Sequence, residues 1–393
     1  MSRTPRTTTW SARPHNRRAA NHFLLDAALM IAIVGLAFAL TPRLSDAQAA
    51  LQILRQMFAP QAVASTIPRE NVSVPSGRTA IDPTQALIQQ LGNGNDPVVR
   101  AAAKENLRQM PDAAIAPALF DALTNTDPLI RASVAEILAE KKPVGALDAL
   151  ALTTYDPEPN VRLAAVQALG EIASPLILPR LDQIQIYETD AQIRGAAQQA
   201  EKKIYARVAE ELKRPEDFVR VIAVAPSNGR IYVATWDGLY VPRGMDWQMQ
   251  SRLPDLPTAL AVSAEDADTL YLGTSGLGVL KSRDSGKTWE QLKQSLPTPE
   301  RTTVTAIAVS PTYPRVVFVA LAAWFDTVEQ NETPLGLYMS KDAGETWSLI
   351  SKWPEDYVTL RLVIDPIAPN YLYGMMETGS WRFPLSKVYC EPC

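Results

Sequence analysis

The chain has 393 residues, room for two or three domains, and its 47% hydrophobic and 20% charged content excludes wholesale disorder. Its net charge of −4 is uneven: residues 1–43 hold six Arg (3, 6, 13, 17, 18 and 43) against Asp26, so residues 44–393 carry about −9. So acidic a body excludes nucleic acid as a partner, since polyanion affinity comes from phosphate neutralisation by Lys and Arg.

Both histidines, His15 and His22, precede residue 23, and the only cysteines are Cys390 and Cys393 at the C-terminus. The body therefore lacks the commonest general base near neutral pH and the commonest transition-metal ligand. Two cysteines cannot build a disulfide framework or a four-ligand zinc site. No catalytic residue, cofactor site or metal site is expected.

Residues 1–22 are basic, rich in Thr, Asn and Pro, and without apolar periodicity; they read as a cytoplasmic tail. Residues 23–43 follow as the membrane segment. Its apolar part, Phe23–Leu40, would rise about 27 Å as a helix, enough to cross a hydrocarbon core with snorkelling ends. Five Arg on its N-terminal side predict a cytoplasmic N-terminus and export of residues 44–393, to a periplasm, cell surface or lumen. Two readings of the segment stand: a single-pass signal-anchor, or a signal peptide cleaved near Ala47-Gln48-Ala49. The long basic tail and the distance of those small residues from the apolar run favour the anchor. Residues 44–83 read as a linker, with a short helix over Leu51–Phe58 and a Pro-rich stretch after it.

Residues 84–214 repeat. The segments Asn95-Asp-Pro-Val-Val-Arg, Thr126-Asp-Pro-Leu-Ile-Arg, Pro159-Asn-Val-Arg and Thr189-Asp-Ala-Gln-Ile-Arg place arginines at 100, 131, 162 and 194. An Asp or Asn caps the second helix of each unit, and Pro often opens it, where a missing N–H costs nothing. First helices are predicted at Thr84–Leu91, Ala113–Leu123, Val144–Leu152 and Pro175–Tyr187. One pair cannot bury both faces, so the pairs must stack into an α-solenoid. The run Asp156-Pro157-Glu158-Pro159-Asn160-Val161-Arg162-Leu163-Ala164-Ala165 resembles the HEAT-like repeats of the phycobilisome-lyase type. That resemblance implies a fold and no chemistry. Because Arg100, Arg131, Arg162 and Arg194 recur at one place in every repeat, they are expected to brace neighbouring repeats rather than bind an anion.

After Pro215 the period becomes two. Val219–Val224, Arg230–Thr235, Thr269–Thr274, Thr303–Val309, Val316–Ala320 and Leu360–Ile364 are β-branched, alternating runs. Two hairpins carry one octad, Ser282-Arg-Asp-Ser-Gly-Lys-Thr-Trp289 and Ser340-Lys-Asp-Ala-Gly-Glu-Thr-Trp347. The octad resembles the Asp-box of the sialidase and sortilin propellers, and in that pattern its residues are structural. Asp284 and Asp342 should accept turn amides, Gly286 and Gly344 supply a positive φ, and Trp289 and Trp347 pack between sheets. Strand groups beginning near 219, 258, 303 and 358 give about four blades over 215–393. These either form a compact ring or leave an open edge that a second chain could pair with. An insertion after the third blade's second strand puts Trp324 and Phe325 forward as candidate partner contacts.

The expected whole is a multidomain α and β chain: a signal-anchor helix, an α-solenoid of HEAT-like repeats, then antiparallel β-propeller-type blades. Its expected work is that of a membrane-tethered, non-catalytic scaffold that binds other proteins in a membrane complex. The blades also resemble those of photosystem II assembly factors, which implies an assembly role in photosynthesis. The alternative is a sialidase-like glycoside hydrolase or glycan-binding protein. Such a site needs three clustered arginines, a Tyr–Glu pair and an acid, and the arginines of residues 215–393 follow no such pattern.

Overall fold

A computed structural model describes residues 82–94, 96–292, 296–297, 302–324, 332–351, 357–364 and 369–386, all in the compact unit Thr79–Cys393. The predicted tail, the membrane segment 23–43, the linker as far as residue 81, Phe325, Cys390 and Cys393 lie outside the described residues. Among the described residues no helix is long and apolar enough to cross a membrane.

Among the described residues eight α-helices come first, in four pairs: α1 (Pro83–Leu91) with α2 (Pro97–Gln109), α3 (Asp112–Ala122) with α4 (Pro128–Lys141), α5 (Ala146–Thr153) with α6 (Pro159–Ile172), and α7 (Leu178–Tyr187) with α8 (Ala191–Glu211). Caps set their starts. The Asp96 side chain accepts from the amides of Val98 and Val99, Asp127 from Leu129, and Asp190 from Gln192 and Ile193. Helix α6 differs. Its N-cap residue Glu158 makes no side-chain cap bond, and Asp156, two residues earlier, accepts the Glu158 amide at 3.0 Å. Two first helices also start later than their apolar pattern suggests. Gly145, at φ 89°, holds α5 back to Ala146. The predicted helix Pro175–Tyr187 is a 3₁₀ turn, Pro175–Ile177, followed by α7, because Pro179 has no N–H with which to continue the ladder.

The second helices α4, α6 and α8 stack side by side. They approach closely because their contact face is small: a Cβ on Gly170 would lie 3.0 Å from the Ala200 Cβ. Beneath them runs one continuous core, from Ile88, Leu107 and Leu119 through Leu138, Leu150 and Leu169 to Ile204 and Val208.

Among the described residues four antiparallel sheets follow, each a simple meander. The first holds β1 (Val219–Val224), β2 (Ile231–Thr235), β3 (Leu239–Arg243) and β4 (Asp246–Ser251). The second holds β5 (Pro257–Val262), β6 (Leu270–Thr274), β7 (Val279–Ser282) and β8 (Glu290–Leu292). The third holds β9 (Thr302–Val309), β10 (Val317–Trp324), β11 (Glu332–Ser340) and β12 (Ser348–Ser351), and the fourth β13 (Arg361–Ile364), β14 (Tyr371–Met376) and β15 (Gly379–Pro384). The first strands β1, β5, β9 and β13 neighbour one another in sequence order, as inner strands of successive blades do.

Each gap between sheets has its own apolar filling. Tyr232, Leu239, Leu260 and Leu280 fill the first gap, Tyr271, Val304, Val319 and Trp347 the second, and Phe318, Met339, Leu362 and Trp381 the third. In the fourth sheet, three-stranded among the described residues, Gly374 leaves room for Trp381: a Cβ there would sit 2.1 Å from the indole.

Candidate protein-interaction groove

The arginine ladder sits where each second helix begins. Arg131 Nη1 donates to the carbonyls of Asn125 (2.8 Å) and Thr126 (3.2 Å), while Nε and Nη2 both reach the Asp156 carboxylate at 2.8 Å. Arg162 repeats this: Nη1 takes the carbonyls of Asp156 and Pro157, both at 3.0 Å, and Nε and Nη2 fork onto Glu188 at 2.8 and 3.1 Å. Arg194 Nη1 holds the carbonyls of Glu188 and Thr189 at 2.8 Å, and Arg100 Nη1 reaches Asn93 O at 3.5 Å. The carboxylate that completes each fork lies six residues before the next arginine; for Arg100 that position is Asn125. Burial would raise the Glu188 carboxyl, but hydrogen bonds from Arg162 and from the amides of Asp190 and Thr189 hold it below its usual range.

The stacked second helices leave a groove of about 440 Å³ on their outer side. Its floor is Ala139, Ala164, Ala168, Gly170, Ala196 and Ala200; Glu136, Glu140, Gln167, Glu171, Gln199 and Lys203 rise around it. Charges on the rim are paired between repeats. Lys104 meets Glu136, Arg108 meets Glu140, and Lys203 meets Glu171 at 2.5 Å. Burial, and then the neighbouring Arg108, lowers the Lys104 pKa from its ordinary value. The lining holds no His, Cys, Ser, Thr or Tyr. Above the alanine floor the rim sets the amides of Gln167 and Gln199 beside carboxylates already paired with Lys104, Arg108 and Lys203.

The two octads form the turns between β7 and β8 and between β11 and β12. Asp284 accepts the Lys287 amide at 3.0 Å, the Thr288 amide at 2.9 Å and the Thr288 hydroxyl at 2.6 Å; the Ser282 hydroxyl donates at 2.7 Å. Asp342 accepts the Thr346 amide at 2.9 Å and the hydroxyls of Thr346 and Ser340 at 2.5 and 2.7 Å. The Thr288 bonds hold Asp284 down at about 2; Asp342 is also at about 2, its burial outweighed by its Thr346 bonds. Carboxylates this committed to a turn are poor proton carriers at neutral pH.

Each octad turn is also gripped by the preceding blade. Ser251 Oγ donates to Gly286 O at 2.5 Å, and Tyr271 Oη and Lys281 Nζ donate to Ala343 O at 3.1 and 2.6 Å. Trp289 packs in the first gap and Trp347, buried, in the second. Trp324 is the last residue of β10, paired with Glu332. Residues Val241–Trp247 form the β3–β4 hairpin, turned at Gly244 with φ 65°. Among the described residues no cluster of three His, Cys, Asp or Glu side chains is placed to hold a metal.

A family model for HEAT repeats matches residues 84–155 and 127–201. No curated protein matches the chain. Similar solved structures include the GH74 xyloglucanase of Xanthomonas campestris, at 17% identity and TM-score 0.33 over 44% of this chain and 30% of that one. YCF48 bound to a D1 peptide is similar at 16% identity and TM-score 0.33, over 42% of this chain and 50% of that one. YCF48 from Cyanidioschyzon merolae gives 12% identity and TM-score 0.33, over 42% and 49%. The chain thus matches half or less of the length of each. Residues 84–201 are HEAT repeats, and blade-like antiparallel sheets follow them.

Proposed function

We propose that this chain is a non-catalytic, exported and membrane-tethered scaffold that binds a protein partner, as a subunit or assembly factor of a membrane protein complex. The observation that carries the reading is the groove across α4, α6 and α8, a concave strip built by repetition, with a methyl floor and a polar rim. The partner segment it suits is elongated, with small or apolar side chains against the alanines and basic ones at the edges, because residues 44–393 carry about −9. Tethering is supported by the apolar run Phe23–Leu40 behind five arginines. The non-catalytic reading is supported by the absence of histidine from residues 44–393 and by the turn-bound state of Asp284 and Asp342.

The test is photo-cross-linking of the full-length chain in its native membranes, with the photoreactive residue at exposed Gln167 or, as a control, at exposed Met245 on the β3–β4 hairpin. The expected result is one recurring membrane-protein adduct from position 167. Its yield should fall at least tenfold when Gln199→Trp fills the groove. Equal yields from positions 167 and 245, unaffected by Gln199→Trp, would contradict the reading.

A further inference from the structure

The last helix pair touches both the first and the last blade. Towards the first, Tyr205 Oη accepts the Ile222 amide at 3.2 Å, and Trp247 Nε1 donates to Glu211 at 3.0 Å. Val219, Ile222, Val233 and Tyr240 belong to the same core as Ile204 and Val208. Towards the last, the rings of Tyr187 and Tyr373 meet edge to face, with centroids 4.3 Å apart. Beside them Arg361, the first residue of β13, lies between Asp182 of α7 and Glu201 of α8. Arg361 Nη2 donates to Glu201 Oε1 at 2.8 Å, and Nη1 to Glu201 Oε2 at 3.2 Å and to Asp182 Oδ1.

Two carboxylates thus share one guanidinium, and they share it unequally. Glu201 takes both arms and also accepts Gln185 Nε2 at 2.9 Å. Asp182 has a single arm that it shares with Glu201. With both acids ionised the cluster carries one uncompensated negative charge in a partly dry joint, an arrangement that a proton relieves. The Asp182 side chain is 30% exposed, so water can deliver that proton.

We propose that Asp182, Arg361 and Glu201 form a proton-operated latch that fastens the last helix pair to the fourth blade, tight when Asp182 is protonated and looser when it is charged. The groups facing Asp182 from the packed elements support this assignment. On β13 Arg361 stays cationic, raised further by both acids against the cost of burial. On α8 Glu201 is the better-bonded acid, and Tyr205 is neutral, its pKa pushed well above the phenol range by burial and by Glu201. Gln185 on α7, Tyr187 on α7 and Tyr373 on β14 add no charge. Burial raises Asp182 to about 6 against the opposing Arg361 charge, and Glu201 adds a smaller upward push. A carboxyl raised above its free value of about 3.9 binds its proton more tightly in the closed joint than in the open one. The stabilisation is therefore complete below about pH 4 and is lost as pH rises through 6.

The test is hydrogen exchange of the α7 and β13 amides in the full chain between pH 4.5 and 7.5, corrected for intrinsic exchange. Residues 44–393 contain no histidine, and a His15→Asn/His22→Asn background removes the remaining two, so a midpoint near 6 has no ordinary source. The opening equilibrium should rise on the order of 10- to 100-fold across that midpoint. Asp182→Asn should hold it at the acid value throughout, and Glu201→Gln should move the midpoint down. A pH-independent wild type, or a midpoint near 6 that survives in Asp182→Asn, would overturn the latch.

Discussion

Replacing Gly344 with alanine is expected to cost about 2–5 kcal/mol, while replacing its neighbour Ala343 with glycine should change stability by no more than about 1 kcal/mol. Both residues sit at positive φ, 94° for Gly344 and 63° for Ala343, so the difference arises from what surrounds them. A Cβ on Gly344 would lie 2.6 Å from Leu292 Cδ1 and 3.4 Å from the Tyr271 ring, in the packed gap between the second and third blades. At that φ it would also meet backbone strain of about 1–2 kcal/mol. Ala343 already bears such strain, and glycine relieves it while adding unfolded-state freedom, so the two effects nearly cancel. The same reasoning places Gly286→Ala at least as high, because its Cβ would fall 2.2 Å from Leu239 Cδ2 in the first blade. Thermal unfolding followed by circular dichroism should show midpoints lowered by roughly 5–15 °C for the two alanine variants and little change for Ala343→Gly. Equal midpoints for Gly344→Ala and the wild type would show that the octad turn is not wedged against the blade before it.

Arg131→Met is expected to destabilise by about 3–5 kcal/mol. Arg131 and Asp156 side chains are each only 10% exposed, and the pair forms a two-armed fork. Removing the guanidinium leaves the Asp156 carboxylate with only the Glu158 amide and leaves the carbonyls of Asn125 and Thr126 without their donor. Arg100→Met is the control at the equivalent position. Its 3.5 Å contact with Asn93 O is exposed, so its loss should cost under about 1 kcal/mol. Adding Asp156→Leu to Arg131→Met should recover more than half of the loss, because an isolated buried charge is worse than an apolar pair. Urea unfolding midpoints measure all three. A loss at Arg100 as large as that at Arg131 would mean that the ladder does not act through its carboxylate forks.

The helical repeats and the four sheets are legible in the sequence because repetition states each of them several times. Every second helix carries an aliphatic residue, an arginine and small residues on its contact face, and those demands recur every 31 or 32 residues. The sheets announce themselves by alternation, and their first strands begin at Val219, Pro257, Thr302 and Arg361, close to the starts read from β-branched runs. The forks could have been found by the same alignment, since Asp156 and Glu188 each stand six residues before an arginine.

What the sequence conceals is what happens once. Arg361 meets Asp182 and Glu201 across 179 and 160 residues, and no local pattern marks any of the three. The groove was also hidden, because the alanines of its floor read as ordinary helix-packing positions, and only the lateral spacing of α4, α6 and α8 opens a channel between them. Trp324, put forward as a candidate partner contact, is the last residue of β10, whose pairing with β11 runs out as far as Glu332.

Residues 84–201 are HEAT repeats, and their proposed protein-binding role has a direct measurement. Hydrogen exchange of the full chain should be compared with and without the partner captured from position 167. Protection is expected to concentrate on the outward turns of α4, α6 and α8, around Glu136, Gln167 and Gln199, with the octad turns unchanged. Protection confined to the blades, with those three helices exchanging as in the free chain, would contradict the account.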